Sequence, residues 1–194
     1  EAPGPDPEGV RPHIQETARI LWMIYTGMTV AAVFALHVSG MTWFDSVNHA
    51  LTTLATGGFS THTDSIEAFN SPAIEIVTLL FMVLAGINFS IYDAVARRRF
   101  KGITRDPELR AYLIMLVSAS IIVVASLLIA GVPYALTDGD VIQPTLGQAM
   151  LDGTFTVVSQ QTTTGFVIAD FNTWPFLAKG VIIAVMFIGG SAGS

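Results

Sequence analysis

Four long apolar stretches constrain the fold of this chain more than any other feature of its sequence. They extend from Ile20 to Val38, from Ala73 to Ile91, from Ala111 to Val132, and from the residue after Pro175 to Ile188. A helix of about 20 apolar residues is long enough to cross the hydrocarbon core of a bilayer. Only 12% of the residues are charged and 52% are hydrophobic, whereas about 25% are charged in a typical soluble domain. The sequence therefore predicts an all-α polytopic membrane protein.

Two shorter apolar segments lie between these stretches. Phe44 to Leu54 lies between the first and second stretches, and Leu151 to Gln161 lies between the third and fourth. Segments of this length are too short to cross a membrane as a helix and are typical of re-entrant or interfacial helices. Each is followed closely by threonine and glycine.

The sequence also contains an internal repeat. When the chain is shifted by 107 residues, four residues between positions 44 and 59 coincide with identical ones: Asp45 with Asp152, Thr56 with Thr163, Gly58 with Gly165, and Phe59 with Phe166. Both halves therefore contain a span, a short helix, a Thr-x-Gly-Phe segment and a second span, which predicts tandem structural repeats.

This repeat divides the chain into four parts. We expect a solvated linker at residues 1–19 that becomes helical only near Gln15, and a first repeat at residues 20–92. A basic linker at residues 93–110 and a second repeat at residues 111–194 follow, the latter truncated in its last helix at a glycine-rich segment. We also expect the chain to begin inside a longer protein.

Charged residues predict the orientation of the repeats. Six of the nine Lys and Arg residues lie in the linker between the repeats, at Arg97, Arg98, Arg99, Lys101, Arg105 and Arg110. This linker should be cytoplasmic by the positive-inside rule, so the short helices should open outward. The outer loops would carry Asp45, Asp64, Glu67, Asp138, Asp140, Asp152 and Asp170. These residues either form an anionic mouth that concentrates cations or are ordinary solvated loop residues.

The Thr-x-Gly-Phe segments are the strongest candidates for function. Irregular backbone at membrane depth is tolerated only where it is buried in protein or lines a watery cavity. Gly58 and Gly165 can adopt positive φ at little cost, which allows successive carbonyl oxygens to face one axis. A ring of such carbonyls can replace the water shell of an ion, and the C-terminal ends of the short helices favour a cation. Phe59 and Phe166 would face outward as packing anchors.

Three stretches resemble the TrkH/TrkG/KtrB family of bacterial potassium-uptake proteins: ATGGFSTHTDSI at 55–66, TTTGFVIADFNTWP at 162–175, and MFIGGSAGS at 186–194. The resemblance implies a potassium-channel-like fold in which four span–pore helix–span units surround one pore, of which this chain would be the second and third. It also implies that potassium binds at filter residues Thr56, Gly57, Gly58, Phe59, Thr163, Thr164, Gly165 and Phe166. Gly189, Gly190, Ser191 and Gly193 would begin an intramembrane gate beneath the filter, although close helix packing is an alternative explanation for these small residues.

The resemblance further implies a cellular context. Potassium would be the substrate and no cofactor would be needed. The protein would be a multi-pass protein of the bacterial inner membrane, in contact with lipid, and the full-length chain would form a homodimer. A cytosolic, nucleotide-binding regulatory subunit similar to TrkA would approach the basic linker.

Several other function classes are disfavoured. Nine basic residues and a net charge of −6 argue against nucleic-acid binding. The chain has no cysteine, and His37, His49 and His62 are too far apart in sequence to predict a transition-metal site. We find no nucleophile–base pair or phosphate loop, so no enzyme activity is expected. Asn88 is interpreted as an interhelical hydrogen-bonding residue and Glu75 as a carboxylate at a helix N-terminus.

Two alternatives to a potassium pore stay open. A secondary transporter with broken helices and a midplane substrate site would also have short repeats, but the spans contain almost none of the charged residues such a site would require. A non-conducting membrane assembly subunit would tolerate substitution of Gly58 and Gly165 without any change in ion flux.

Overall fold

The computed structural model describes residues 7–98, 103, 106–137 and 139–190. Seven α-helices and one short hairpin make up the regular structure of this part of the chain. The elements are α1 (Pro7–Val38), α2 (Trp43–Leu54), α3 (Pro72–Ala85), α4 (Phe89–Ala96), α5 (Pro107–Ala130), β1 (Tyr134–Ala135), β2 (Val141–Ile142), α6 (Leu146–Gln161) and α7 (Phe176–Ile188). Single turns of 3₁₀ helix at Glu67–Phe69 and Phe171–Thr173 precede α3 and α7. The all-α fold predicted from the sequence is confirmed.

Helix α1 begins earlier than the sequence predicts. It starts at Pro7 and contains 32 residues, whereas a loop was expected as far as about Gln15. Proline suits the first turn of a helix because its fixed φ is already helical and its missing N–H has no partner there. The apolar part that can cross a membrane is Ala18–Val38, so the first turns of α1 continue the same helix beyond the span.

The second predicted span is broken. Helix α3 ends at Ala85 and α4 begins at Phe89, and their axes differ by 92°. Asn88 is the N-cap of α4, because its side-chain oxygen accepts a hydrogen bond from the Ser90 N–H at 2.8 Å. Its amide group also donates to the Glu108 carboxylate of α5 at 2.9 Å, which confirms the interhelical role. The expectation of one continuous helix from Ala73 to Ile91 was wrong because apolar composition does not reveal this cap.

The two short helices have the predicted ends. Helix α2 is 12 residues long and α6 is 16, and both end at the residues expected from the sequence. Helix α6 begins five residues before Leu151, because Thr145 caps it by accepting a hydrogen bond from the Gln148 N–H at 3.3 Å.

A small antiparallel hairpin joins α5 to α6. Tyr134 pairs with Ile142, and Ala135 pairs with Val141. An isolated bridge from Leu136 to Ala169 attaches the hairpin to the chain that follows the second Thr-x-Gly-Phe segment. The hairpin therefore braces the second repeat and leaves the helical architecture unchanged.

The repeats pack as two units that share a core. In the first unit α1, α2 and α3 contact one another, and in the second unit α5, α6 and α7 do so. The contact of α3 with α6 joins the units. The first apolar core includes Phe155 and Phe166 of the second unit.

Apolar residues cover much of the outer surface. Phe176 and Phe187 of α7 are each 89% exposed, and Ile129 of α5 is 86% exposed. By length and composition, α5 and the apolar part of α1 can each cross a membrane, as can α3 and α4 together if the bent pair is one span; α7 is a shorter apolar helix. The exposed apolar faces fit a lipid environment.

Candidate functional site

The two Thr-x-Gly-Phe segments have matching backbone conformations. Gly58 has φ of 61° and Gly165 has φ of 87°, as glycine at these positions predicts. Thr56 and Thr163 also have positive φ, at 49° and 60°. Such conformations are uncommon for a β-branched residue, and no feature of the sequence predicts them. Each segment therefore has a left-handed residue at its first and third positions.

The same backbone hydrogen bonds hold both segments to the ends of the short helices. The Thr56 N–H donates to the Thr53 carbonyl at 3.1 Å, and the Thr163 N–H donates to the Gln160 carbonyl at 3.2 Å. Gly58 N–H and Gly165 N–H reach the helix carbonyls of residues 52 and 159, at 3.3 and 3.2 Å. Each donor in the first segment has its counterpart 107 residues later in the second segment, and so does each acceptor. The sequence repeat therefore corresponds to a structural repeat.

A hydroxyl group on each short helix holds the phenylalanine carbonyl that ends the segment. Thr52 Oγ1 lies 2.9 Å from the Phe59 carbonyl oxygen, and Ser159 Oγ donates to the Phe166 carbonyl oxygen at 2.7 Å. Both carbonyls thus face their own short helix. Thr52 and Ser159 differ in type, so comparison of identical residues does not reveal them, although both are hydroxyl residues and lie 107 positions apart.

The two segments lie against each other. A Cβ added to Gly58 would overlap the carbonyl oxygen of Thr164 in the other segment. Further along, the Val167 N–H donates to Ser65 Oγ at 3.1 Å. The structure therefore brings together the two segments that the sequence singled out separately.

The two phenylalanines differ in burial. Phe166 is 1% exposed and stacks on His49 of the first unit, with ring centroids 5.8 Å apart. Phe59 is 76% exposed. The packing role expected of both residues is confirmed for Phe166, which lies on the side where the two units meet, and stays a prediction for Phe59.

His49 lies in the centre of this contact and is fully buried. Its Nδ1 lies 2.8 Å from the Asp45 carbonyl oxygen, and its Nε2 lies 3.0 Å from Ser60 Oγ. Burial lowers the pKa of His49, because desolvation disfavours the charged imidazolium. A neutral ring satisfies both contacts, with Nδ1 as donor to the carbonyl and Nε2 as acceptor from the hydroxyl.

Asp45 links the chain after the first segment to the start of α2 through hydrogen bonds. Its carboxylate accepts hydrogen bonds from Thr42 Oγ1 and Thr61 Oγ1, each at 2.6 Å, and lies 3.7 Å from His62 Nε2. The Thr42 and Thr61 hydroxyls lower the pKa of this carboxyl group, because they stabilise its charged form.

The acidic residues of the expected anionic mouth differ in exposure. Asp45, Glu67 and Asp152 are buried, so they do not line an open surface, and that part of the expectation was wrong. Asp152 accepts a hydrogen bond from the Tyr134 hydroxyl at 2.5 Å, and burial and this carboxyl group together raise the pKa of Tyr134. Asp64 and Asp170 are half-buried, Asp140 is exposed, and Asp138 lies outside the described residues.

The glycine-rich end of α7 lies beside the second segment. Gly189 ends the helix with φ of 71° and ψ of −167°, a combination that only glycine adopts readily. A Cβ added at Gly189 would lie 3.8 Å from Thr163 Cγ2. Gly189 and Gly190 also line a cavity of about 210 Å³ together with Glu108, Ala111, Tyr112, Met115 and Ile188. Some of the predicted residues lie outside the described part of the chain: Ser191 and Gly193 of the expected gate, and Arg99, Lys101 and Arg105 of the basic linker.

Comparison with known proteins gives concordant results. The family model for TrkH, described as a cation transport protein, matches residues 8–194. The Trk system potassium uptake protein TrkH of Halomonas elongata is 37% identical over 196 residues, which cover 100% of this chain and 38% of that protein. TrkG of Escherichia coli strain K12, also named a potassium uptake protein, is 31% identical over 100% of this chain and 38% of its own length.

A solved structure shows the same fold. The crystal structure of the potassium transporter TrkH from Vibrio parahaemolyticus matches with a TM-score of 0.82 and 33% sequence identity. The match covers 94% of this chain and 38% of that one. The chain therefore spans well under half the length of the curated relatives and the solved structure that it matches.

Proposed function

Because the chain belongs to the TrkH family of cation transport proteins, we propose that it forms part of a potassium-uptake pore in a bacterial inner membrane. The observation that carries this proposal is the pair of Thr-x-Gly-Phe segments, which share one backbone conformation and lie against each other. Potassium as the transported ion is supported by relatives that are named potassium uptake proteins.

The proposed ion path passes the backbone carbonyls of the residues before each phenylalanine. These are Thr56, Gly57 and Gly58 in the first segment, and Thr163, Thr164 and Gly165 in the second. Their carbonyl oxygens would replace the water shell of potassium. The segments directly follow the C-terminal ends of α2 and α6, whose partial negative charge favours a cation.

Phe59 and Phe166 mark the end of each filter segment in this proposal. Their carbonyls already face hydroxyl groups of the short helices, which supports an anchoring role over direct ion contact. Each anchor would hold the last carbonyls of its segment at a fixed distance from the pore axis.

The proposed gate lies at the glycine-rich end of α7. Gly189 and Gly190 would begin it, and Ser191 and Gly193 would continue it. The proposal is supported by the Gly189 backbone, which ends the helix in a conformation that other residues avoid, and by its position next to Thr163.

The remaining filter segments of a closed pore would come from the rest of the full-length parent, since this chain spans 38% of its relatives. The parent would be a homodimer in the membrane. A cytosolic nucleotide-binding subunit would contact the basic linker, where Arg97 and Arg110 lie.

Rubidium uptake tests this function. The full-length parent would be expressed in potassium-starved cells, with Gly58→Asp and Gly165→Asp as variants and the amount of membrane protein measured on a blot. We expect uptake with the wild type, and reduced uptake or an altered ion preference in both variants. Variants that transport like the wild type would overturn the filter assignment and favour a transporter with a midplane substrate site.

A further inference from the structure

We propose that His49 is a positioning residue that holds the two filter segments in register and thereby sets the ion preference of the pore. The inference rests on the proposed function and concerns the same site. His49 does not reach the proposed ion path itself; it contacts Ser60, directly after the first segment, and Phe166, the last residue of the second segment.

Hydrogen bonds fix the orientation of the His49 imidazole. A carbonyl oxygen can only accept, so the 2.8 Å contact with the Asp45 carbonyl requires a proton on Nδ1. Nε2 of the neutral ring is then an acceptor, and the Ser60 hydroxyl at 3.0 Å is its donor. Ser60 follows Phe59 directly, so His49 holds the outer end of the first segment.

The chain after Ser60 also contacts the second unit. Ser60 Oγ accepts a hydrogen bond from the His62 N–H at 3.1 Å. Because its one proton is donated to His49, the Ser60 hydroxyl does not also donate to the Ser65 carbonyl oxygen, which lies 3.4 Å away. The Ser65 hydroxyl oxygen accepts from the Val167 N–H at 3.1 Å. Val167 follows Phe166 directly, so the turn from Ser60 to Ser65 contacts the outer end of the second segment.

The His49 ring also packs on the second segment. The His49 and Phe166 rings stack at 29° with centroids 5.8 Å apart, and the His49 and Phe69 rings form a T-shaped contact with centroids 5.3 Å apart. The backbone carbonyl of Phe166 is itself held by Ser159. His49 therefore contacts the residue after the first segment through Nε2 and the last residue of the second segment through its ring.

The repeat supplies a matched control for this role. Thr156 lies 107 residues after His49 on the second short helix. It is 3% exposed, and its hydroxyl oxygen has no hydrogen-bond partner among the described residues. Removal of that hydroxyl should therefore leave both segments undisturbed.

The experiment compares four single variants of the full-length parent, and the double variant His49→Phe/Ser60→Ala, with the wild type. His49→Phe keeps an aromatic ring but loses both hydrogen bonds, Ser60→Ala removes the donor, His49→Gln can still accept from Ser60, and Thr156→Val is the control. The readout is the ratio of rubidium to sodium uptake at equal amounts of membrane protein. We expect His49→Phe and Ser60→Ala to lower this ratio about three- to tenfold, in keeping with loss of one buried hydrogen bond, and the double variant to be no worse than His49→Phe.

We expect His49→Gln to retain most of the wild-type ratio and Thr156→Val to equal it. An unchanged ratio in His49→Phe, or a His49→Gln ratio as low as that of His49→Phe, would overturn the positioning role. If the wild type shows no rubidium preference, the proposed function itself fails, so the two failures are distinguishable.

A second measurement separates positioning from folding. The melting temperature of the purified parent would be measured in potassium and in choline salts. We expect His49→Phe to reduce the rise caused by potassium while it still melts cooperatively in choline. A full potassium-induced rise in His49→Phe would overturn the proposal.

Discussion

The α-carbon of Gly58 lies so close to the Thr164 carbonyl that a methyl group on Gly58 would overlap that oxygen. Gly165 has no such restriction, because an added Cβ there would meet no atom of the described residues within 4 Å. Both glycines have positive φ. The contact of the two segments is therefore sensitive to substitution on one side only.

This asymmetry predicts different effects of the same substitution. Gly58→Ala and Gly165→Ala both add the backbone strain of a left-handed residue, about 1–2 kcal/mol. Only Gly58→Ala also displaces the Thr164 carbonyl. We expect Gly58→Ala to reduce rubidium uptake by the full-length parent about tenfold more than Gly165→Ala, since overpacking costs about 1–3 kcal/mol. Equal losses in initial uptake rate at matched expression would contradict the close contact.

The hydroxyl groups of Thr52 and Ser159, which contact the two phenylalanine carbonyls, should differ in their contribution to stability. Ser159 is fully buried, and its hydroxyl donates a hydrogen bond to the Phe166 carbonyl. The single proton of Thr52 Oγ1 is shared among the carbonyls of Asn48, His49 and Phe59.

Loss of the hydroxyl should therefore matter more at position 159. We expect Ser159→Ala to destabilise the purified parent by about 1 kcal/mol and to lower its rubidium-to-sodium ratio. Thr52→Val should have a smaller effect on both. Thermal melting and ion competition check this, and a larger effect of Thr52→Val would refute it.

Gly86 joins the two units at the break between α3 and α4. A Cβ at Gly86 would lie 2.6 Å from the Tyr112 hydroxyl and 2.8 Å from Thr162 Cγ2. The Tyr112 hydroxyl cannot move freely because it donates to the Val83 carbonyl at 3.1 Å.

We therefore expect Gly86→Ala to destabilise the parent by about 1–3 kcal/mol. The matched control is Gly27→Ala on α1, where an added Cβ meets nothing within 4 Å in the part of the chain that the structure describes, and alanine in a helix is favoured over glycine by about 1 kcal/mol. Melting temperatures in detergent check the pair; a Gly86→Ala protein as stable as the control would argue against this packing.

Substitution of Gly189 should affect the rate of ion uptake and leave the ion selectivity unchanged. Its backbone conformation is nearly exclusive to glycine, and it lies outside the Thr-x-Gly-Phe segments. We expect Gly189→Ala to change the rate of rubidium uptake while the rubidium-to-sodium ratio stays at the wild-type value. A change in ratio without a change in rate would remove Gly189 from the proposed gate and place it with the filter.

Asp45 predicts a pH-dependent contribution to stability. Its folded-state pKa is lowered by the Thr42 and Thr61 hydroxyls from the ordinary value of 3.8. The stabilisation is therefore fully present above about pH 4 and is lost as the pH falls through the lower folded-state value. We expect Asp45→Asn to lower the melting temperature at pH 7, and the difference from the wild type to shrink as the pH falls below 4. A constant difference across this range would show that the charge is not what stabilises the site.

Much of the fold could be predicted because length and apolar composition specify membrane helices. The ends of α2 and α6 at Leu54 and Gln161 follow from the glycine and threonine after them. The break at Gly86 could not be predicted, because it depends on a cap by Asn88 and on close packing against Tyr112. Both are tertiary features inside an apolar stretch.

The backbone conformation of the site could be predicted from the sequence at its glycine positions. Positive φ at Gly58 and Gly165 follows from the residue type, whereas the same conformation at Thr56 and Thr163 depends on hydrogen bonds to the helix ends. The burial of Phe166 and exposure of Phe59 depend on which side of each unit has a neighbour. An internal repeat predicts equal environments and cannot reveal that difference.

Rubidium anomalous diffraction from crystals of the full-length parent tests the central claim most directly. The account predicts anomalous density on the axis between the carbonyls of Thr56 to Gly58 and those of Thr163 to Gly165, which disappears when sodium replaces rubidium. Rubidium density located elsewhere, with none between these two segments, would contradict it.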